Sequence, residues 1–179
     1  MRVAQTVVTF VHTRDMRLMR VVHRWRAPHW IRLWMICATR GGDGWLWYAM
    51  AAAVLALGGE SRYRAVAACG GGSAIGIAVF LALKRLTGRR RPCHIEPHCW
   101  ANLLPPDRFS FPSGHTITAF AVSTPLSLFY PDMMAGVMFC AFSIAISRIL
   151  LGMHFLSDVL AGAILGTAIG FWTYGLALL

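Results

Sequence analysis

Five long stretches of the chain contain no Asp, Glu, Lys or Arg, and this feature constrains the fold more than any other. The stretches cover residues 44–59, 65–83, 109–131, 133–147 and 159–179. A helix that crosses a bilayer needs about 20 mostly apolar residues. Because lipid offers no partners to unpaired backbone groups, such segments must be helical. The pattern therefore predicts an all-α integral membrane helical bundle with about five transmembrane helices.

The charge balance of the chain is strongly basic. The sequence has 17 Lys and Arg residues against 7 Asp and Glu residues, which gives a formal net charge of +10, and 57% of its residues are hydrophobic. An excess of positive charge is typical of proteins that bind nucleic acid or a membrane surface. A soluble helical core would need a polar outer face, which the charge-free stretches do not provide. We therefore expect the bilayer as a partner and no nucleic acid.

The first 40 residues combine arginines with large apolar side chains, and they include no convincing span. Arg17, Arg20 and Arg24 alternate with residues such as Val21 and Trp25. This mixture is typical of amphipathic helices that lie in the membrane interface. A disordered basic tail is the alternative. We predict an interfacial amphipathic segment over residues 1–40 and a transmembrane domain over residues 41–179.

Small residues recur every four positions in two of the predicted spans. Gly162, Gly166 and Gly170 lie in the last span, and Gly72 and Gly76 lie in the second. Glycine at this spacing allows two helix backbones to approach closely within a membrane. We expect packing within the chain. A contact between two copies stays open, as does the oligomeric state.

Eight polar or glycine residues near the ends of the predicted spans are candidates for a functional site, because ionisable groups at membrane boundaries are costly and tend to be functional. Counting the spans places them all on one side of the membrane. They are Lys84, Arg91, Ser113, Gly114, His115, Arg148, His154 and Asp158. Arg85, Arg89 and Arg90 differ from these, and we expect them to be solvated or to bind lipid headgroups.

The chemistry of these residue types suits phosphoryl transfer. Three of them, Lys84, Arg91 and Arg148, are cations, and guanidinium groups match phosphate oxygens in pairs. The amides at the start of a helix, as at Ser113 and Gly114, also bind anions.

The two histidines supply a nucleophile and an acid. His154 and Asp158 are four residues apart, on one face of a helix, so that the carboxylate could fix the imidazole tautomer. One imidazole can attack phosphorus while His115 protonates the leaving oxygen. The set is therefore complete for phosphoryl transfer.

Three motifs carry a specific family resemblance. Lys84-x6-Arg91-Pro92, Pro112-Ser113-Gly114-His115 and Ser147-Arg148-x5-His154-x3-Asp158 resemble, in order, the signatures of the type 2 phosphatidic acid phosphatase (PAP2) superfamily, and all eleven fixed residues match. The resemblance implies that residues 41–179 form a PAP2 catalytic domain that needs no metal or other cofactor.

The resemblance also implies a role for each candidate residue. His154 would form the phosphohistidine, Asp158 would activate it and His115 would be the general acid. The remaining candidates would bind the substrate phosphate: Lys84, Arg91, Ser113, Gly114 and Arg148.

The predicted function is hydrolysis of a lipid phosphate or isoprenoid phosphate, since the chain is similar to short bacterial members such as undecaprenyl-diphosphate phosphatases. Undecaprenyl diphosphate is the favoured substrate, followed by phosphatidic acid and phosphatidylglycerophosphate. Two alternatives stay open. A lipid phosphotransferase would use the same phosphohistidine, and a non-catalytic membrane scaffold would only bind phospholipid. A vanadate haloperoxidase is a remote fourth reading.

Two further features concern the compartment. Cys93 and Cys99 lie in one loop and suggest a disulfide, with free thiols and a metal site as alternatives. Fifteen of the 17 basic residues lie on the predicted site's side of the membrane and only Arg62 and Arg64 lie opposite, which favours a cytoplasmic site. The resemblance favours the outer face of the inner membrane. We predict a multi-pass protein of the inner membrane with an extracytoplasmic site.

Overall fold

A computed structural model describes residues 2–95 and 107–179. The described chain is helical, and its one β-bridge is isolated, between Arg90 and Phe109. The α-helices are α1 (Arg2–Arg24), α2 (His29–Gly41), α3 (Trp45–Leu57), α4 (Arg62–Thr87), α5 (Pro92–Ile95), α6 (Gly114–Phe129), α7 (Met134–Leu150) and α8 (Leu156–Leu178), and short 3-10 turns cover Gly59–Ser61 and Pro131–Met133. The predicted all-α membrane fold is confirmed.

Three helical segments of the described chain are long and apolar enough to cross a bilayer. They cover Gly59–Thr87, Pro131–Leu150 and Leu156–Leu178. The helix α3 is apolar but has only 13 residues, and α6 has 16. The count of five spans therefore stays a prediction.

The helix α6 forms the centre of the bundle. Twelve of its 16 residues are buried, and it packs against α4, α7 and α8. The outward faces of the surrounding helices carry exposed large apolar side chains, among them Ile77, Leu81, Phe139, Phe142, Ile164 and Phe171. An apolar exterior around a small, densely packed interior is what a helix bundle in lipid requires.

Glycines set the close approach of the helices. A Cβ at Gly162 would lie 2.9 Å from the Ser113 carbonyl oxygen, and one at Gly72 would lie 2.8 Å from the Ala121 carbonyl oxygen. A Cβ at Gly170 would lie 2.7 Å from Thr124 Cβ. The glycine spacing in α4 and α8 thus serves packing within the chain, as predicted.

The N-terminal segment is helical and contacts the bundle. The helix α2 packs on α7, and α1 contacts α7 and α8. Within α1, Asp15 and Met19 are buried, whereas Arg14, Arg17 and Arg20 are exposed. The alternative of a disordered basic tail is wrong. The division at residue 40 and the interfacial placement of α1 stay predictions.

Candidate active site

The site lies where the ends of α2, α4, α6, α7 and α8 meet. A left-handed Gly88, with φ of 59°, ends α4 and donates its N–H to the Lys84 carbonyl. Glycine adopts this conformation without steric cost. The chain then turns back, so that Arg89 and Arg91 point into the bundle instead of continuing along α4.

A pocket of about 210 Å³ brings together six of the eight predicted residues. Its lining includes Lys84, Arg91, Gly114, His115, Arg148 and His154, together with Gly42, Asp43, Phe80, Asp107 and Thr118. Ser113 and Asp158 are buried directly behind this lining, and the Ser113 N–H donates to the Asp158 carbonyl at 3.2 Å. Residues that are far apart in the sequence thus form one site.

The hydrogen bonds of His154 define its tautomer. Its Nδ1 lies 2.6 Å from the Ser110 carbonyl oxygen, so Nδ1 carries the proton. Its Nε2 lies 3.1 Å from Arg91 Nη1, a group that can only donate. The lone pair of Nε2 therefore faces the cationic part of the pocket.

His154 is held in its neutral form. Its side chain is 1% exposed. Burial, followed by the positive charges of Arg148, Arg91 and Lys84, lowers the pKa of His154 well below the usual range for histidine. The imidazole therefore stays unprotonated at Nε2, where its lone pair accepts the Arg91 N–H.

Asp158 contacts His154 less directly than the sequence pattern suggests. The distance from its Oδ2 to His154 Nδ1 is 3.8 Å, too long for a hydrogen bond. The same oxygen accepts the Phe155 N–H at 2.9 Å at the start of α8. In this structure the Ser110 carbonyl, and not the carboxylate, fixes the tautomer. A role of Asp158 in activating His154 stays a prediction.

Arg89 is not a solvated surface charge, and that prediction is wrong for this residue. Its side chain is 20% exposed, and its guanidinium bridges Asp158 Oδ1 at 2.6 Å and Asp15 Oδ2 at 2.7 Å. It also lies over the Phe155 ring, 4.3 Å from the centroid. Arg85 and Arg90 are exposed, as expected. Arg89 therefore connects α1 to the buried carboxylate behind the pocket.

The carboxylate of Asp107 lies between two of the predicted phosphate-binding cations. Its Oδ2 accepts from Lys84 Nζ at 2.6 Å, and its Oδ1 accepts from Arg91 Nη2 at 2.9 Å. Burial alone would raise the pKa of Asp107, but the hydrogen bonds and charges of Lys84 and Arg91 outweigh burial and lower it. An ionised carboxylate thus contacts the groups predicted to bind the substrate phosphate.

Arg148 retains an unused donor in the pocket wall. Its Nη1 donates to the Thr39 hydroxyl. Its Nε is buried and has no acceptor among the described residues. The binding of the substrate phosphate by Arg148 stays a prediction.

Sequence reasoning missed Asp43 and Asp107, although a signal was available. The chain has only seven acidic residues, and four of them, Asp15, Asp43, Asp107 and Asp158, lie in or next to this site. In a basic, apolar chain, every carboxylate on the side of the site is a candidate partner for the cations there. The possible disulfide between Cys93 and Cys99 falls partly outside the described residues and stays a prediction.

Several known proteins are similar to this chain. Residues 65–178 match the sequence profile of a protein family described as the PAP2 superfamily. Decaprenylphosphoryl-5-phosphoribose phosphatase of Mycobacterium tuberculosis is 37% identical over 131 residues, which cover 71% of this chain and 68% of that protein.

Two crystal structures have similar folds. A transmembrane PAP2-type phosphatidylglycerolphosphate phosphatase from Bacillus subtilis aligns with a TM-score of 0.73 at 24% identity. The alignment covers 93% of this chain and 85% of the Bacillus subtilis chain. LpxE of Aquifex aeolicus aligns with a TM-score of 0.73 at 26% identity. The alignment covers 89% of this chain and 93% of the LpxE chain. At 24% identity, the similarity to the Bacillus subtilis protein shows the fold alone.

Proposed function

Because the chain belongs to the PAP2 superfamily, we propose that this membrane lipid phosphatase hydrolyses its substrate through a phosphohistidine on His154. The family resemblance seen in the three motifs is confirmed, and so is the phosphatase class. The observation that carries the proposal is the orientation of His154, whose Nε2 lone pair faces Arg91 inside the pocket. A nucleophile is thus directed at the place where cations would hold phosphorus.

The proposed reaction has two steps. In the first, His154 Nε2 forms a bond to phosphorus, the bond from phosphorus to the lipid oxygen breaks, and His115 gives a proton to that oxygen. In the second, the oxygen of a water molecule forms a bond to phosphorus, the bond from phosphorus to His154 Nε2 breaks, the water gives a proton to His115, and inorganic phosphate leaves. Positive groups around the transferring phosphoryl stabilise the charge that develops on its oxygens. Lys84, Arg91 and Arg148 supply these charges, and Gly114 lines the pocket beside them at the start of α6. The Ser113 N–H is engaged by the Asp158 carbonyl, so we expect Ser113 to support this end of α6 from behind.

The surface of α4 supports a substrate with a lipid tail. Ile77, Phe80, Leu81 and Lys84 have the i, i+3, i+4, i+7 spacing of one helix face. Ile77 and Leu81 are 42% and 47% exposed, whereas Phe80 and Lys84 line the pocket. An apolar tail could lie along this face while its phosphate reaches the cations. The pocket is too small to hold the tail itself.

Among lipids, we favour an isoprenoid phosphate, with undecaprenyl diphosphate as the first candidate. The relative from Mycobacterium tuberculosis is named for a decaprenyl-linked phosphate, which supports a polyprenyl carrier. Phosphatidic acid and phosphatidylglycerophosphate are the next candidates. We place the site on the extracytoplasmic face of the inner membrane, as the family resemblance implies, and we expect the reaction to need no metal.

The test is phosphate release by purified protein in detergent with EDTA present. The panel would contain undecaprenyl diphosphate, decaprenylphosphoryl-5-phosphoribose, phosphatidic acid and phosphatidylglycerophosphate. His154→Ala should lower turnover by about 10⁴-fold or more, as loss of a nucleophile does in other enzymes. His29→Ala, which changes an exposed histidine of α2, is the control and should behave as the wild type.

Three outcomes would contradict parts of the proposal. Full activity of His154→Ala would remove the nucleophile assignment. Activity lost with EDTA and restored by a divalent metal would overturn the metal-free reaction. Transfer of labelled phosphate to a lipid hydroxyl instead of water would identify a phosphotransferase.

A further inference from the structure

The turn between α2 and α3 places the carboxylate of Asp43 next to the imidazole of His115. Asp43 Oδ1 lies 2.7 Å from His115 Nε2, a hydrogen-bonding distance. The two side chains are 43% and 22% exposed, so the pair lies at the mouth of the pocket. Asp43 precedes the first of the three motifs by about 40 residues in the sequence, and none of them includes it.

The backbone of this turn is shaped to approach the imidazole. A Cβ at Gly42 would lie 3.2 Å from His115 Cδ2 and 3.0 Å from Ile144 Cγ2. Both distances are shorter than most contacts between a Cβ atom and its neighbours. Gly44, with φ of 129°, completes the turn in a conformation that favours glycine. Glycines on both sides of Asp43 thus let its carboxylate reach the ring.

The charges facing His115 oppose its protonation. Lys84 on α4, Arg91 after α4 and Arg148 on α7 line the same pocket, and neutral His154 lies among them. Asp107 is the other carboxylate in the pocket, but both of its oxygens are engaged by Lys84 and Arg91. Nearby positive charge disfavours an imidazolium, whereas a carboxylate in contact favours it. Asp43 is therefore the carboxylate whose contact favours the protonated form of His115.

We propose that Asp43 is a positioning residue that orients His115 and favours its protonated form, the general acid of the reaction. This inference rests on the proposed function. Asp43 neither gives nor takes a proton in either step. Because Asp43 holds Nε2 of His115, the proton that reaches the leaving oxygen comes from Nδ1, and the attacking water restores it there. The role parallels that of a carboxylate that orients a catalytic histidine and stabilises its charged form.

The test compares the pH dependence of kcat/KM for wild type, Asp43→Asn and Asp43→Glu with the phosphomonoester lipid that wild type hydrolyses best, because its leaving alkoxide needs a proton. The basic limb of the profile reports a group that must be protonated. Asp43→Asn should shift this limb to lower pH and reduce kcat/KM by about tenfold at pH 7.5, a fraction of the usual contribution of a general acid. Asp43→Glu should recover part of the lost kcat/KM and move the basic limb part of the way back towards its wild-type position. Asp132→Asn, at the opposite end of the bundle, is the control.

A second arm varies the leaving group. A nitrophenolate leaves without protonation, so Asp43→Asn should affect p-nitrophenyl phosphate by less than about twofold, because general-acid help matters little there. Equal losses with both substrates, or an unchanged basic limb with the lipid, would overturn the inference by indicating a purely structural role. The pH profile alone decides if the aryl ester is not turned over.

Failure of the proposed function would look different. In that case wild type would release no phosphate from any lipid, or His154→Ala would retain activity. An active wild type, an inactive His154→Ala and an Asp43→Asn variant with a wild-type profile would contradict only the role of Asp43.

Discussion

Single residues at the site form a network in which each buried cation contacts an anion or a polar acceptor. Arg91 donates to the Asp107 carboxylate and to the Met153 carbonyl, and Arg89 lies between Asp15 and Asp158. A buried charge is tolerated only when it is paired and hydrogen-bonded. The network therefore explains how so many cations lie together in a small pocket before a phosphate binds.

Asp107 should compete with the substrate phosphate for its two cations. Asp107→Asn keeps the shape of the side chain but removes its charge, leaving Lys84 and Arg91 more available to an incoming anion. We expect inorganic phosphate and vanadate to inhibit the variant more tightly by about 1 kcal/mol, roughly fivefold, as for a partly exposed ion pair. The measurement is the inhibition constant of each anion.

The matched control for this prediction is Asp132→Asn, which removes an exposed carboxylate far from the pocket. Its inhibition constants should equal those of wild type. Weaker inhibition of Asp107→Asn by phosphate would show that Asp107 supports anion binding instead of opposing it.

At the scale of helices, the contact between α6 and α8 depends on the absence of side chains. A Cβ at Gly166 would meet the Ile117 carbonyl oxygen and would lie 2.9 Å from Phe120 Cβ. Both neighbours belong to the central helix, which cannot shift without disturbing α4 and α7. The end of α6 that carries Ser113 and His115 is therefore held by helix packing as well as by its own hydrogen bonds.

Gly166→Ala should destabilise the bundle by about 1–3 kcal/mol, the usual cost of overpacking a core. Gly175→Ala is the control within the same helix, because a Cβ there would meet nothing within 4 Å. It should be neutral or slightly stabilising, since alanine favours the helix. The measurement is thermal unfolding in detergent. Equal midpoints for the two variants would contradict this account of the packing.

At the scale of the whole molecule, α8 relates the site to the far side of the membrane. It begins next to His154 and runs 23 residues to Leu178. At 1.5 Å per residue it is about 34 Å long, enough to cross the hydrocarbon core. The pocket and Leu179 should therefore lie on opposite sides of the bilayer.

An extracytoplasmic site consequently predicts a cytoplasmic Leu179. A green fluorescent protein fused after Leu179 should fluoresce, because it folds in the cytoplasm, and an alkaline phosphatase fused there should be inactive. The fusions would carry His154→Ala, so that the chain's own activity does not contribute. A dark green fluorescent protein and an active alkaline phosphatase would place the site in the cytoplasm. The excess of basic residues on the site's side of the membrane favours that placement.

Much of the fold could be predicted from the sequence because the bilayer imposes simple rules. Charge-free stretches must become helices, and glycines four residues apart must face a close neighbour. The boundaries were less predictable. The stretch 109–131 contains a helix that begins only at Gly114, because the first residues of the stretch pair with the segment near Arg90 and with His154.

The class of the molecule and the set of candidate residues follow from the sequence alone, because three motifs with fixed spacing specify residue types that suit one chemistry. The partners of these residues depend on the tertiary structure. It placed Ser110 on His154, Asp43 on His115 and Asp107 on the cations, and it joined Asp15 to Asp158 through Arg89. These contacts join residues up to 74 positions apart. No local pattern encodes them, because they depend on how the packed helices bring their ends together.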